Sequence, residues 1–220
     1  MRVVVALSGG VDSAMAVALL KEAGHTVIGA IMRIWDGRPM PGELGRHGCY
    51  GPGEAEDVAE AERIAAHLGI PLHVIDLARE YNDIVLTRCT RQYLSGLTPN
   101  PCVHCNRLMK FELIPARLRQ MGVSFDRFAT GHYAVVERDE TRGRYVLRRG
   151  RDRDKDQSYF LYQLTQDLLA QTLLPLGRYT KTEIRRRAVD LGLPVAEKPE
   201  SQDFVSGGYG VLFASPSRPG

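Results

Sequence analysis

The sequence predicts an α/β protein: a Rossmann-like, doubly wound parallel sheet with a small hairpin and helical appendage toward its C-terminal end. Three observations lead there. The chain opens on an unbroken apolar run, Val3 to Leu7, as suits a strand buried on both faces. Short apolar runs then alternate with helical periods in the order βαβαβ…αβ, the alternation a parallel sheet requires. The 220 residues, 44% hydrophobic and 25% charged, are the size and composition of one globular domain or of one domain with an appendage.

After the first strand come Ser8, Gly9, Gly10, Val11, Asp12 and Ser13, and then AMAVALLKEAG, a helix ending at Gly24. His25 to Met32 is the second strand and completes a right-handed βαβ unit. Arg33 to Gly53 reads as a long loop, rich in Gly and Pro, that carries Trp35, the only tryptophan; loops of this length inside a domain are usually functional. Val58, Ala61, Ile64, Ala65 and Leu68 share one face of a helix from Glu54 that stops at Gly69. Leu72 to Leu77 is the third strand, and Tyr81 to Leu94 a helix. Gly96, Pro99, Asn100 and Pro101 break the chain before Cys102-Val-His-Cys105, and Asn106 is expected to cap a helix running to about Gln120. Phe125 to His132 holds the fourth strand. Tyr133 to Gly150 alternates around a polar turn as a β-hairpin, Asp154 to Leu164 reads as a helix, and Thr180 with Glu183 forms a capping box for the next one. Gly192 and Pro194 end it, and a glycine-rich stretch leads into a tail without a core pattern.

No apolar run reaches the length of a membrane span, and the chain enters its first strand without a secretory signal, so a cytoplasmic protein without a membrane partner is expected. A formal net charge of +3 permits nucleic-acid binding without arguing for it. The four cysteines, Cys49, Cys89, Cys102 and Cys105, are too few for a disulfide scaffold and should be reduced, which leaves metal binding or catalysis.

The strand, glycine turn and helix start at Ser8–Ser13 aim free backbone N–H groups at one point, where a phosphate would sit. Neither Gly-Lys-Ser/Thr nor Gly-x-Gly-x-x-Gly is present. SGGVDS instead resembles the pyrophosphate loop of the ATP-pyrophosphatase superfamily, whose members adenylate a substrate oxygen, release pyrophosphate and let a nucleophile displace AMP. Cys102 and Cys105 lie at a loop-to-helix boundary, where the helix dipole favours thiolate. A thioredoxin-type redox pair is one alternative, and a zinc site completed by Cys49, Cys89 or His104 is another.

Six stretches in order, ALSGGVDS, TPNPCVHCNRLMKF, FATGHYA, KDQSYFLYQL, LLPLGRYTKTEIRRRA and KPESQDF, resemble the tRNA-uridine 2-sulfurtransferase family, the tRNA-specific 2-thiouridylases. The resemblance implies an adenine-nucleotide α-hydrolase-like fold, divided into a pyrophosphatase domain over 1–165, a helical extension over 166–210 and a tail over 211–220. It also implies a reaction: ATP adenylates the position-2 carbonyl oxygen of the wobble uridine of tRNA, and sulfur displaces AMP. By the same resemblance Ala6, Leu7, Ser8, Gly9, Gly10, Val11, Asp12 and Ser13 hold ATP, with Asp12 contacting Mg²⁺. Met32 and Gly131 approach the nucleotide. His132, Lys155, Asp156 and Gln157 meet tRNA, and Cys105 is the nucleophile.

Two departures from the family carry further expectations. The family's second cysteine falls where Val205 stands, and no cysteine follows Cys105. Three thiolates beside an adenylating site resemble the iron–sulfur sulfurtransferases of the superfamily, which assigns Cys49, Cys102 and Cys105 to a [4Fe–4S] cluster, with Cys89 in reserve. The sulfur donor would be a protein persulfide or sulfide. The linking domain and β-barrel usual in the family do not follow within these 220 residues; the readings open are a truncated chain, a naturally short form, or one in which a second copy in a homodimer or a partner protein supplies that function. Two other activities share the phosphate loop: amide or nitrogen transfer, and a non-catalytic nucleotide-binding or sulfur-carrier module.

Overall fold

The computed structural model describes residues 1–40, 48–198 and 203–213. In chain order the elements are β1 (Arg2–Ala6), α1 (Val11–Glu22), β2 (Thr26–Arg33), β3 (Gly48–Tyr50), α2 (Glu54–Leu68) and β4 (Leu72–Asp76), then two long helices, α3 (78–94) and α4 (101–120). There follow β5 (Arg127–Ala129), the hairpin β6 (Ala134–Asp139) and β7 (Arg144–Arg149), α5 (Gln166–Gln171), β8 (Thr172–Leu173), α6 (Lys181–Asp190) and β9 (Asp203–Val205). The main sheet is parallel throughout, in the order β4-β2-β1-β5-β8.

Period-two alternation on β1 builds both layers. Val3 and Val5 face α1, α2 and α6, among Ala14, Ile64 and Ile184. Val4 faces the other way with Ile28 and Phe128, against Tyr81 and Leu86 of α3 and Met109 and Leu118 of α4. Helices on both faces leave the carboxyl ends of the strands as the open edge, where ligands bind in such sheets. Among the described residues no helix is long and apolar enough to cross a membrane.

The α/β sheet, the hairpin and the capping box stand as expected. In that box the Thr180 side chain accepts from the Glu183 N–H while Glu183 accepts from the Thr180 N–H. Several local expectations fail for identifiable reasons. Part of the long loop after β2 is strand: β3 pairs in parallel with β9, Gly48 opposite Asp203 and Tyr50 opposite Val205. Each strand is only three residues long, too short for a periodic signal, and the pairing is remote in sequence.

Asp154–Leu164 is not a helix beyond a single turn at Ser158–Phe160. Its carboxylates compete for the backbone. Asp152 accepts from the N–H groups of Asp154 and Lys155 at 3.2 and 3.3 Å, and Asp156 accepts from those of Gly150 and Ser158 at 2.9 and 3.2 Å. Nor does Asn106 cap α4. Asn100 is the N-cap and Pro101 takes the first turn, where its missing N–H costs nothing. The helix therefore begins before the Cys-x-x-Cys pair, and Cys105–Leu113 is a π-helical stretch. Pro115 follows it; a proline ring collides with the carbonyl four residues back, here Phe111, and the widened turns relieve that collision.

Candidate active site

The loop after β1 is braced by its own side chains. The Ser13 hydroxyl accepts from the Ser8 N–H at 3.1 Å and donates to the Gly10 carbonyl at 3.0 Å. Gly9 adopts φ +69°, and a Cβ there would lie 2.8 Å from the Asp57 carbonyl oxygen. Glycine is therefore required both for conformation and for space. Gly10 is the N-cap of α1 with no side-chain cap, which leaves first-turn N–H groups for an anion.

Asp12 points from this turn into a cluster of polar side chains. Lys181, only 7% exposed, donates to both its oxygens at 2.8 and 2.7 Å, and the Tyr133 hydroxyl donates to Oδ1 at 2.9 Å. Lys198 reaches the other side of the loop, donating to the Gly9 carbonyl at 3.2 Å and to Asp57 at 3.1 Å. Beyond Lys181 opens a groove of about 780 Å³, lined by Asp152, Lys155, Arg185, Arg186 and Glu197 among others.

Thr130 to Tyr133, after β5, joins this corner to the cysteines. A Cβ on Gly131 would lie 2.7 Å from the Asp12 carbonyl carbon and 2.8 Å from the Ser13 nitrogen, so the two backbones touch only because residue 131 is glycine. His132 is buried, with Nδ1 2.7 Å from the Thr130 hydroxyl and its ring 6.2 Å from that of Phe111 on α4. Burial lowers its pKa to about 3, and the positive charge of Lys110 acts in the same direction. The imidazole is thus neutral at physiological pH.

Lys110 is also the charge nearest the thiols. Burial pushes Cys105 up to about 12; Lys110 opposes the shift, while Cys49 and then Cys102 add to it. The Cys102 thiol is raised by burial too, again with Lys110 opposing. Helix-dipole stabilisation of a thiolate, expected from position alone, is outweighed here by desolvation. Cys49 is solvent-exposed because β3 alternates and turns Tyr50 inward instead, to stack on Tyr81 at 5.7 Å. The protein packed around Cys49 nevertheless raises its pKa, with Lys110 the main opposing charge.

The predicted site residues thus form two corners joined by one loop. Ala6 to Ser13 and Gly131 meet around Asp12; Cys49, Cys102 and Cys105 meet around Lys110. Met32, at the carboxyl end of β2, is half-buried against the α3–α4 core and registers with Ile75 of β4. Asp156 and Gln157, expected at tRNA, brace the fold through their side chains: the Gln157 amide oxygen accepts from the Tyr133 N–H at 3.0 Å, and Asp156 accepts from Gly150. Glu200, Ser201 and Gln202 of the last family stretch lie outside the described residues, as does the tail from 214.

The loop and helix start fit a nucleotide phosphate chain. Asp12 does not present a ready Mg²⁺ ligand, because Lys181 engages both its oxygens. Nor is the cluster assignment supported: among the described residues no three Cys, His, Asp or Glu side chains are gathered so as to hold a metal ion. Sequence reasoning missed Lys181, Lys198, Tyr133 and Lys110. All four were within reach, since each lies in a matched stretch: Lys181 within LLPLGRYTKTEIRRRA, Lys198 at the start of KPESQDF, Tyr133 in FATGHYA and Lys110 in TPNPCVHCNRLMKF.

Comparison with known proteins agrees with this geometry. A family model described as the tRNA methyl transferase HUP domain matches residues 1–206. The chain belongs to this family. Relatives within it include the tRNA-specific 2-thiouridylases MnmA of Endomicrobium trichonymphae, 47% identical over all of this chain and 61% of that protein, and of Geotalea uraniireducens, 49% identical over 99% and 57%. That of Moorella thermoacetica is 50% identical over 93% of this chain and 56% of its own. The chain thus spans little more than half the length of these relatives. A 4-thiouridine synthetase in complex with RNA and ATP shares the fold across all of this chain and 46% of its own, at TM-score 0.56 and 18% identity. The NMN synthetase of Francisella tularensis shares it across 90% and 65%, at TM-score 0.50 and 16% identity.

Proposed function

We propose that this HUP-domain chain carries out ATP-dependent 2-thiolation of the wobble uridine of tRNA. The observation that supports the reading is the junction at Gly131–His132: Gly131 lies against the backbone of Asp12 and Ser13, and the His132 ring lies beside Phe111 of α4, the helix that carries Cys102 and Cys105. Named relatives of nearly half identity over the whole chain support it.

In this reading the first-turn N–H groups of α1 hold the ATP phosphates, with Lys181 and Lys198 flanking them. The position-2 oxygen of the uridine attacks the α-phosphorus and pyrophosphate leaves. Mg²⁺ would neutralise phosphate charge, and it would need Asp12 to share its oxygens with Lys181. Cys105 receives a sulfane sulfur from an external persulfide. The outer sulfur attacks C2, the C2–O bond breaks, and AMP departs. A persulfide is a stronger acid than its parent thiol, so the loaded sulfur is more readily anionic than the Cys105 thiol, whose pKa burial raises.

The groove at Lys155, Arg185 and Arg186 has the charge to follow a phosphate backbone. Tyr159 and Tyr162 are largely exposed on the segment after Lys155, and Tyr159 feels the charge of Cys102. They offer stacking faces for unpaired bases beside the thiols. A tRNA-modifying role places the protein in the cytoplasm.

The test is nucleoside analysis of tRNA incubated with the protein, ATP and a persulfide donor. The reading expects 2-thiouridine that depends on ATP and is absent with Cys105→Ala. Sulfur at another position of the base, or none, contradicts it.

A further inference from the structure

Thiolation from a Cys105 persulfide leaves an unsolved step. When the outer sulfur bonds to C2, the tRNA is tethered to Cys105 through an S–S bond. A second thiol must break that bond, and Val205, 1% exposed in the β3–β9 ribbon, cannot.

We propose that Cys49 is the resolving thiol, presented from β3 to the Cys105 adduct. The inference rests on the thiolation reading above. Three features of the ribbon favour Cys49. Strand alternation turns it outward while Gly48 and Tyr50 are buried, so it meets solvent. Its backbone is held in place: Tyr50 stacks on Tyr81 of α3, its hydroxyl donates to Asp36 at 2.8 Å, and the Ser206 hydroxyl accepts from the Gly48 N–H at 3.0 Å. The approach of β3 to β9 depends on Gly48, where a Cβ would lie 2.4 Å from the Val205 carbonyl carbon.

The electrostatics agree with this placement. Tyr50, the neighbour of Cys49 on β3, lies in the same packed core as Tyr81 and Met109, and Cys102 and Cys105 pack against that core; the charge effects on Cys105 include Cys49 as well as Cys102. The charged and titratable groups acting on the pair include Cys102 and Lys110 from α4, Tyr81 from α3 and Asp57 from α2, the last disfavouring a Cys49 thiolate. Lys110 is the cation among them, and it favours the Cys49 thiolate that must attack. Cys89 is buried in α3 and takes no part.

The step balances. The Cys49 thiolate, its proton given to solvent, attacks the Cys105 Sγ. The bond from Sγ to the outer sulfur breaks, and its electron pair stays on the sulfur bound to C2, as 2-thiouridine. A Cys49–Cys105 disulfide remains, and an external thiol or dithiol reduces it before the next turnover.

The test uses the 220-residue protein with ATP, tRNA and a persulfide donor, without reductant. The reaction is quenched in acid with alkylation and mapped by non-reducing peptide mass spectrometry. The expected product is a Cys49–Cys105 disulfide formed in step with 2-thiouridine. Cys49→Ser should release AMP only as a single burst, lose free thiolated tRNA and accumulate the Cys105-linked adduct. Cys102→Ser should keep the bridge. A Cys102–Cys105 disulfide, no disulfide, or normal product release by Cys49→Ser overturns the proposal. Absence of AMP release by the wild-type protein contradicts the thiolation reading itself, and so marks a different failure.

Discussion

The phosphate corner and the thiol corner stand on one sheet edge but are built in opposite ways. Around Asp12 the chain is cross-braced: two loops and the first turn of α2 meet through backbone contact at Gly9 and Gly131, and Asp12 receives hydrogen bonds from Lys181 and Tyr133. Around Cys105 the bracing lies one step away, in the ribbon that carries Cys49, where Gly48 lies against the Val205 backbone and Tyr50 bonds to Asp36. The thiols are held by a π-helical stretch and a two-strand ribbon, and their environment is set by desolvation and one ammonium group. A site that must position phosphates gains from rigidity. A site that must pass sulfur between thiols needs exposed, unbridged side chains.

The largest effect should come from the backbone contact that joins the corners. Gly131→Ala inserts a methyl group between two main chains, and overpacking of that kind costs about 3 kcal/mol. Urea unfolding should show the loss, accompanied by loss of ATP-dependent AMP release. An unchanged midpoint would mean that the junction is loose and that the two corners are less rigidly coupled than the contacts indicate.

Lys181→Met comes next. It leaves Asp12 without its ion-pair partner, and with that carboxylate partly exposed the cost should be about 2 kcal/mol. Nucleotide turnover should fall further than stability does. By contrast Lys110→Met, in the thiol corner, should leave stability nearly unchanged and slow alkylation of Cys105 at a fixed pH, because the charge opposing its high pKa is gone. Lys110→Arg should restore most of the rate. Equal stability losses for the two lysine variants would erase the distinction between the corners.

His132 gives a pH signature. Its folded pKa lies near 3, below the unfolded imidazole near 6.5, so the unfolded chain binds the extra proton between those values. The stability it contributes is complete above about pH 6.5 and falls as the pH drops toward 3. His132→Gln should flatten the stability profile in that window alone, read by denaturant titration at several pH values. The smallest effect is expected at the cap of α6: Thr180→Ala removes half of a capping box and should cost about 1 kcal/mol, without changing alkylation of Cys105.

The same contrast explains what the sequence revealed. The phosphate corner was legible because its parts are contiguous: an apolar strand, SGGVDS and a helix carry their geometry in consecutive residues. The capping box was legible for the same reason. Lys181 and Lys198 escaped because their contacts with Asp12 and Gly9 span more than 160 residues of chain. The thiol corner was legible only as a list of cysteines. Nothing local announces that Gly48–Tyr50 pairs with Asp203–Val205, or that Pro115 widens the helix before it. The expectation of a low thiol pKa counted the helix dipole and omitted burial, which here is the larger effect. Asp156 shows a related limit: a helical apolar period can be overruled by carboxylates that cap the chain locally instead.

The central claim is that the two corners act in series on one uridine, activation first and sulfur second. The most direct measurement is tRNA-dependent exchange of labelled pyrophosphate into ATP, compared between wild type and Cys105→Ala. The account predicts that exchange requires tRNA and survives in Cys105→Ala, while 2-thiouridine formation is abolished. Exchange that needs no tRNA, or that disappears together with the thiol, would contradict it.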